Sequence, residues 1–270
     1  MEFPGTWINQ SGTMVYRVIP KCACSTIGQL LYYSDHGRFF EGDVHDCVAG
    51  VWKWNNNPDL ATARSRIVAA ATGGKALTFT CVRNPYTRIL SAFFDKICGT
   101  QRNGQKYRGD MVAKITRGYA MDLAGDFDQI AAFRRFLLFA RDTIKYRRPI
   151  DPDIHWAPMA NHASTLVRNG GRYDIIFASE DFAAGMEAVL ERAAPVHRIA
   201  CAQVPRFNES HSVGPAQAHP VEAFFDDFAN DLMLDIYRRD FAVFKYRRQP
   251  NATGPKTALD PEEINARLAD

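Results

Sequence analysis

The sequence predicts an α/β protein, a parallel β-sheet flanked by helices, and three strand–loop–helix successions predict it. The runs at 14–19 (MVYRVI), 76–82 (ALTFTCV) and 173–177 (YDIIF) have the β-branched and aromatic content of strands. Each is followed by a break of small or polar residues and then by a helical pattern. Short apolar strands alternating with helices imply a parallel sheet covered on both faces, with ligands bound beyond the strands' C-terminal ends.

The elements follow in order. The first strand ends at Pro20, and a helical run from Ser25 to Tyr33 begins after the small residues Ala23 and Cys24. The second ends before Asn84-Pro85, and Pro85 suits the first position of a helix continuing from Tyr86 to Cys98. The third leads to Ser179 and a further helix. Helical patterns also span 59–71, 127–144 and 221–237, and no internal repeat is visible. The segment Gly99–Gly118 carries Arg102, Lys106, Arg108, Lys114 and Arg117 against Asp110, and reads as an exposed basic connector. Residues 1–250 are expected to form a single domain, and residues 251–270, with Gly254-Pro255, a polar and loosely packed C-terminal tail.

At 270 residues and 46% hydrophobic content, the chain can bury a large core. A net charge of +3 argues against a dedicated nucleic-acid or membrane-surface protein, so an anion site must be local. The N-terminal residues lack the pattern of a signal peptide, and no window supplies the roughly 20 apolar residues of a membrane span. The six cysteines, Cys22, Cys24, Cys47, Cys81, Cys98 and Cys201, follow no disulfide-framework spacing. Reduced thiols and a cytoplasmic location are the expectation. Cys22 and Cys24 form C-x-C without a second pair, which leaves a structural zinc site unsupported.

Two segments carry chemistry. The first, PKCACST at 20–26, lies where a strand gives way to a helix. Unpaired amides at a helix start bind phosphate or sulfate, Lys21 adds a charge, and Ser25 and Thr26 add hydroxyls. The same residues are also plain helix caps in many proteins. This is not a Walker A loop, because G-x-x-x-x-G-K-[ST] is absent, and a kinase reading loses its main support. The second segment, CVRNPYTRILSAF at 81–93, places Arg83 at a strand's end and Ser91 two helical turns on, where fork and hydroxyl could clamp one phosphate.

Together the two segments resemble the 5′-phosphosulfate loop and 3′-phosphate motif of sulfotransferases that use 3′-phosphoadenosine 5′-phosphosulfate (PAPS). The resemblance is narrower to the carbohydrate sulfotransferase family containing the HNK-1 and chondroitin/dermatan 4-O-sulfotransferases, whose equivalents read like PKAGCSNW and VREPFERLVSAF. Further on, DIHW at 153–156 resembles the family's D-x-H-W, YDIIFASEDF at 173–182 its strand and acidic turn, and RFNESHS at 206–212 its R-F-x-x-x-H-S. Residues 237–246 resemble its closing Y-x-x-D-[YF]-x-x-F-x-Y. Ile27 stands where the family usually has tryptophan, and Asn161-His162-Ala163-Ser164 replaces the cysteine pair of animal relatives.

The resemblance implies a P-loop-like parallel β-sheet flanked by helices and transfer of a sulfuryl group from PAPS to an acceptor hydroxyl, with a carbohydrate as the expected acceptor. It implies Lys21 and the amides of Cys22, Ala23, Cys24, Ser25 and Thr26 around the 5′-phosphosulfate, and Arg83 and Ser91 on the 3′-phosphate. Positioning and electrostatics carry such a transfer, and a fixed cation can stand in for a metal, so no metal is expected. His45, in a V-H segment like that of relatives, is the expected base, with His155 as competitor and His211 as a third candidate. Trp52, Trp54 and Trp156 could stack on a sugar ring or pack in the core. The readings left beside this are a nucleotide kinase or NTPase, and a non-catalytic nucleotide-binding protein of the same fold. Nucleic-acid binding would rest on the 99–118 segment alone.

Overall fold

The computed structural model describes residues 5–45, 51–53, 60–98, 109–205, 207 and 217–270. Five strands form one sheet: β1 (Thr6–Asn9), β2 (Met14–Arg17), β3 (Val51–Lys53), β4 (Leu77–Val82) and β5 (Ile175–Ala178), in the order β3-β1-β2-β4-β5. All three sequence-read strands are present, and β2, β4 and β5 are mutually parallel. The sheet as a whole is mixed rather than parallel, because β1 pairs antiparallel with both β2 and β3.

The sequence reading missed β1 for a physical reason. Its four residues, TWIN, end in an asparagine whose side chain organises the turn instead of marking a loop. Asn9 Nδ2 donates to Ser11 Oγ at 2.7 Å, and Asn9 Oδ1 accepts the Met14 amide at 2.8 Å. Gly12, at φ 76°, completes the turn with its amide on the Asn9 carbonyl.

Helices α1 (Cys24–His36), α2 (Leu60–Thr72), α6 (Met159–Arg168) and α7 (Phe182–Ala193) pack on the sheet. A second layer comprises α3 (Pro85–Ala92), α4 (Gly109–Tyr119), α5 (Gln129–Tyr146) and α8 (Asp227–Val243). Its centre is aromatic: Phe93 meets Phe133 edge-on, Phe136 meets Trp156, and Tyr86 meets Phe225. Asn84 caps α3 by accepting the Tyr86 amide, with Pro85 at the first helical position as the sequence predicts. The expected continuous helix to Cys98 instead changes to a π-helix at Phe93–Cys98.

Two local expectations are corrected. The latter half of the 99–118 connector is helix α4, with Ile115 fully buried while Lys114 and Arg117 stay exposed; residues 99–108 lie outside the described residues. The loosely packed tail contains α9 (Pro261–Ala269), which docks on α6 and α8 through fully buried Ile264 and Leu268. Asn265 fixes it by exchanging hydrogen bonds with the backbone of Tyr173, at 3.0 and 2.9 Å. Two apolar residues four apart are too few to outweigh a polar composition until the partner surface is known. Among the described residues no helix is long and apolar enough to cross a membrane.

Candidate active site

The parallel strands deliver their following loops to one end of the sheet: β2 leads to Lys21, β4 to Arg83 and β5 to Glu180. The loop after β2 is bent by two non-glycine residues in the left-handed region, Lys21 at φ 68° and Ala23 at φ 57°. Ala23 is the N-cap of α1 and supplies no side-chain cap, and no acidic residue occupies the first turn. A helix start with no capping side chain and no acid leaves its amide dipoles for an outside anion. Strain of this kind, at about 1–3 kcal/mol per residue, persists where surrounding structure enforces it.

The loops after β2 and β4 are tied together. Arg83 Nη1 donates to the Lys21 carbonyl at 3.2 Å, and Arg83 Nε donates to Thr87 Oγ1 at 3.1 Å. Cys22 and the Arg83 amide both approach Met159 Sδ. Ser91 lies near the end of α3, two turns beyond Arg83. Lys21 Nζ donates to Asp95 Oδ2 at 3.0 Å, and Lys96 pairs with the same carboxylate at 3.2 Å. Burial lowers the pKa of Lys21, with Lys96 adding to the effect and Asp95 opposing it. Burial would raise Asp95, but the two lysines hold it below the usual carboxylate range.

Both expected histidines border this loop. His45 Nε2 lies 3.0 Å from Ser25 Oγ and 4.0 Å from Cys24 Sγ, and its ring meets Trp7 edge-on. Burial alone would raise the Cys24 thiol, yet contact with His45 and the charge of Lys21 bring it below its ordinary value. His155 is oriented by Asp153, whose Oδ1 accepts from both Nδ1 at 2.6 Å and the backbone amide at 2.8 Å. Burial holds its pKa below the ordinary imidazole value against the pull of Asp153, with Lys96 and Lys21 pushing the same way as burial. His211 and Trp54 lie outside the described residues. Trp156 is a core residue, fully buried against Phe136 and Phe139, with Nε1 donating to Thr143 Oγ1.

The supporting residues escaped the sequence reading as individual contributors. Arg88, 1% exposed, donates to the carbonyls of Pro20, Ala157 and Ile154, at 2.9, 2.9 and 3.4 Å, and so joins the Lys21 loop to the His155 turn. Asp240, fully buried on α8, accepts the amides of Met159 and Ala160, both at 2.8 Å, and caps α6 from another helix. Tyr237 hydroxyl donates to the Trp156 carbonyl, and Tyr246 hydroxyl to Glu180, whose other oxygen accepts the Asn84 amide. The aromatic and acidic positions of 237–246 thus hold the ends of β4 and β5 and the 153–160 turn. The signal for them was the spacing Tyr237, Asp240, Phe241 and Tyr246, which names the residues without their partners. Among the described residues no three His, Cys, Asp or Glu side chains group as a metal site would require.

Comparison with curated proteins gives no significant match, and neither does comparison with solved structures. The sequence model described as Sulfotransferase family matches residues 4–247, from β1 through the closing tyrosine of the 237–246 segment. That span takes in the uncapped α1 loop, the Arg83 junction and the hydrogen bond between them, and the chain therefore belongs to the sulfotransferase family, as an enzyme of sulfuryl transfer.

Proposed function

We propose that the enzyme transfers the sulfuryl group of PAPS to a hydroxyl of a carbohydrate. The observation that carries the donor assignment is the joining of two anion-binding elements. The uncapped α1 start with Lys21 and the β4–α3 junction with Arg83 are linked by the hydrogen bond from Arg83 to the Lys21 carbonyl. The donor set fits: the amides of Ala23 through Thr26 and the Lys21 ammonium suit a 5′-phosphosulfate, the Cys22 amide being engaged by the Ile19 carbonyl at 3.2 Å, and Arg83 with Ser91 suits a 3′-phosphate. PAPS supplies an activated sulfuryl group with a phosphate leaving group. Lys21 balances the charge that grows on that phosphate, and the fixed amides do so without reorganising. The carbohydrate acceptor rests on the family resemblance.

Of the two histidines, His45 is the proposed base, because its Nε2 already lies at hydrogen-bonding distance from Ser25 on the donor loop. The Asp153–His155 pair supports a second reading, since an imidazole oriented through Nδ1 and kept neutral is suited to accept a proton. Substituting the true base with asparagine is expected to lower kcat by about 10²–10⁴-fold with donor affinity little changed. Comparing kcat of His45→Asn and His155→Asn under saturating donor separates the two readings. The larger loss identifies the base, and equal small losses remove both.

Calorimetric titration with 3′-phosphoadenosine 5′-phosphate, with AMP as control, tests the donor site. Clear preference for the 3′-phosphorylated nucleotide is expected. Arg83→Ala should weaken that binding by about 10–100-fold, the worth of one charge-assisted contact, and leave AMP affinity nearly unchanged. Equal binding of the two nucleotides would overturn the PAPS assignment.

A further inference from the structure

Lys21 is the cation of the proposed donor loop, and it meets a carboxylate and a second ammonium in a small cluster. Asp95 and Lys96 both come from the π-helix Phe93–Cys98, whose Phe93, Phe94, Ile97 and Cys98 are buried. In an uninterrupted α-helix successive side chains diverge by about 100°. A π-turn accommodates one extra residue per turn, and such turns recur at functional sites. Here the π-turn turns four neighbouring apolar groups inward while presenting Asp95 to Lys21 and Lys96 together. The Lys21 and Asp95 side chains are only 17% and 23% exposed, so the pair is largely shielded from water.

We infer that Asp95 is the positioning residue for Lys21, holding its ammonium charged and directed along the donor loop. The inference rests on the donor reading given above. An ammonium buried in a strained loop tends to lose its proton, and a neutral lysine could not offset charge on a leaving phosphate. Asp95 counters that tendency through both charge and hydrogen bond, whereas Lys96 acts against it. Other groups in the field are Cys24 beside the loop, His155, which feels both lysines, and Asp153, which feels Lys96. A carboxylate on this turn therefore lets the loop keep its lysine both buried and cationic.

The test is the titration of Lys21 itself, read independently of turnover. Competitive acetylation across neutral to strongly alkaline pH, quantified by mass spectrometry at Lys21, gives its midpoint in wild type, Asp95→Asn and Asp95→Asn/Lys96→Met. Asparagine preserves shape and an acceptor oxygen while removing the charge. The Lys21 midpoint is expected to fall by about 1 unit or more in Asp95→Asn, as loss of an opposite charge in contact implies. It should move back up in the double variant, where the repelling ammonium is also gone. Affinity for 3′-phosphoadenosine 5′-phosphate should then decline with rising pH sooner in Asp95→Asn than in wild type, and Asp95→Glu should restore the wild-type profile.

A midpoint unchanged in Asp95→Asn, or one that fails to recover in the double variant, overturns the inference while wild-type nucleotide binding stands. Wild-type protein that shows no preference for the 3′-phosphorylated nucleotide overturns the donor reading and this inference with it.

Discussion

Replacing Lys21 with alanine is expected to lower kcat/KM for sulfuryl transfer by about 10²–10³-fold, the usual cost of deleting one preorganised charge at a developing anion. The fold should tolerate the change. Asp95 would keep Lys96 as its ion-pair partner at 3.2 Å, so no carboxylate is stranded. Position 21 sits at φ 68°, where alanine and lysine carry similar backbone strain. The hydrogen bond that Arg83 makes to residue 21 goes to its carbonyl and survives truncation of the side chain. Stability should therefore change by no more than about 1 kcal/mol. Parallel measurement of kcat/KM with PAPS and of the denaturation midpoint checks both parts. Activity within about threefold of wild type would remove Lys21 from the mechanism.

Arg88→Met should produce the largest loss of stability, about 3–5 kcal/mol, because it breaks a buried charged network rather than a surface contact. Methionine fills much of the volume but cannot donate to the carbonyls of Pro20, Ile154 and Ala157, which would be left facing an apolar side chain. The nearby Asp240 makes the cost pH-dependent. Burial raises its pKa to about 6 from an ordinary 3.8, against the lowering influence of the Ala160 and Met159 amides and of Arg88. Between those two values the folded chain binds more protons than the unfolded one, so this group's contribution to stability falls as pH rises through the window. Removing Arg88 takes away one influence that keeps Asp240 from rising further and extends the window upward. Denaturant unfolding above and below it should show a smaller deficit for Arg88→Met on the acid side. A cost under about 1 kcal/mol at both values would show that solvent or backbone replaces the guanidinium.

The two strand-to-helix junctions proposed to hold the donor are legible in the sequence because their signals are local. Strand composition, the stop at Pro20, small residues before α1, and Asn84-Pro85 at the start of α3 each act within one turn of chain. Those signals place Lys21 and Arg83 in the loops after strands and Ser25 at the start of a helix, where the structure has them. His45 and His155 were found by motif, and the structure adds what each touches: Ser25 for one, Asp153 for the other. Within the basic 99–118 segment the correction is confined to 109–118, where Lys114 and Arg117 are exposed as expected but Ile115 supplies the anchor that makes this half a buried-faced helix.

By itself the sequence determined three strands, their following helices, the two strand-to-helix loops at Lys21 and Arg83, and the family to which they belong. Only the tertiary structure decided that β1 and β3 make the sheet mixed, that Trp156 lies in the core, and that 261–269 is docked. It alone paired Asp95 with Lys21, aimed Arg88 at three carbonyls, and set Asp240 on the start of α6. The division has a physical cause. Backbone preference, capping and amphipathic period are fixed by neighbours along the chain, whereas a buried ion's partner or an indole's burial depends on segments tens of residues away meeting in one packed arrangement.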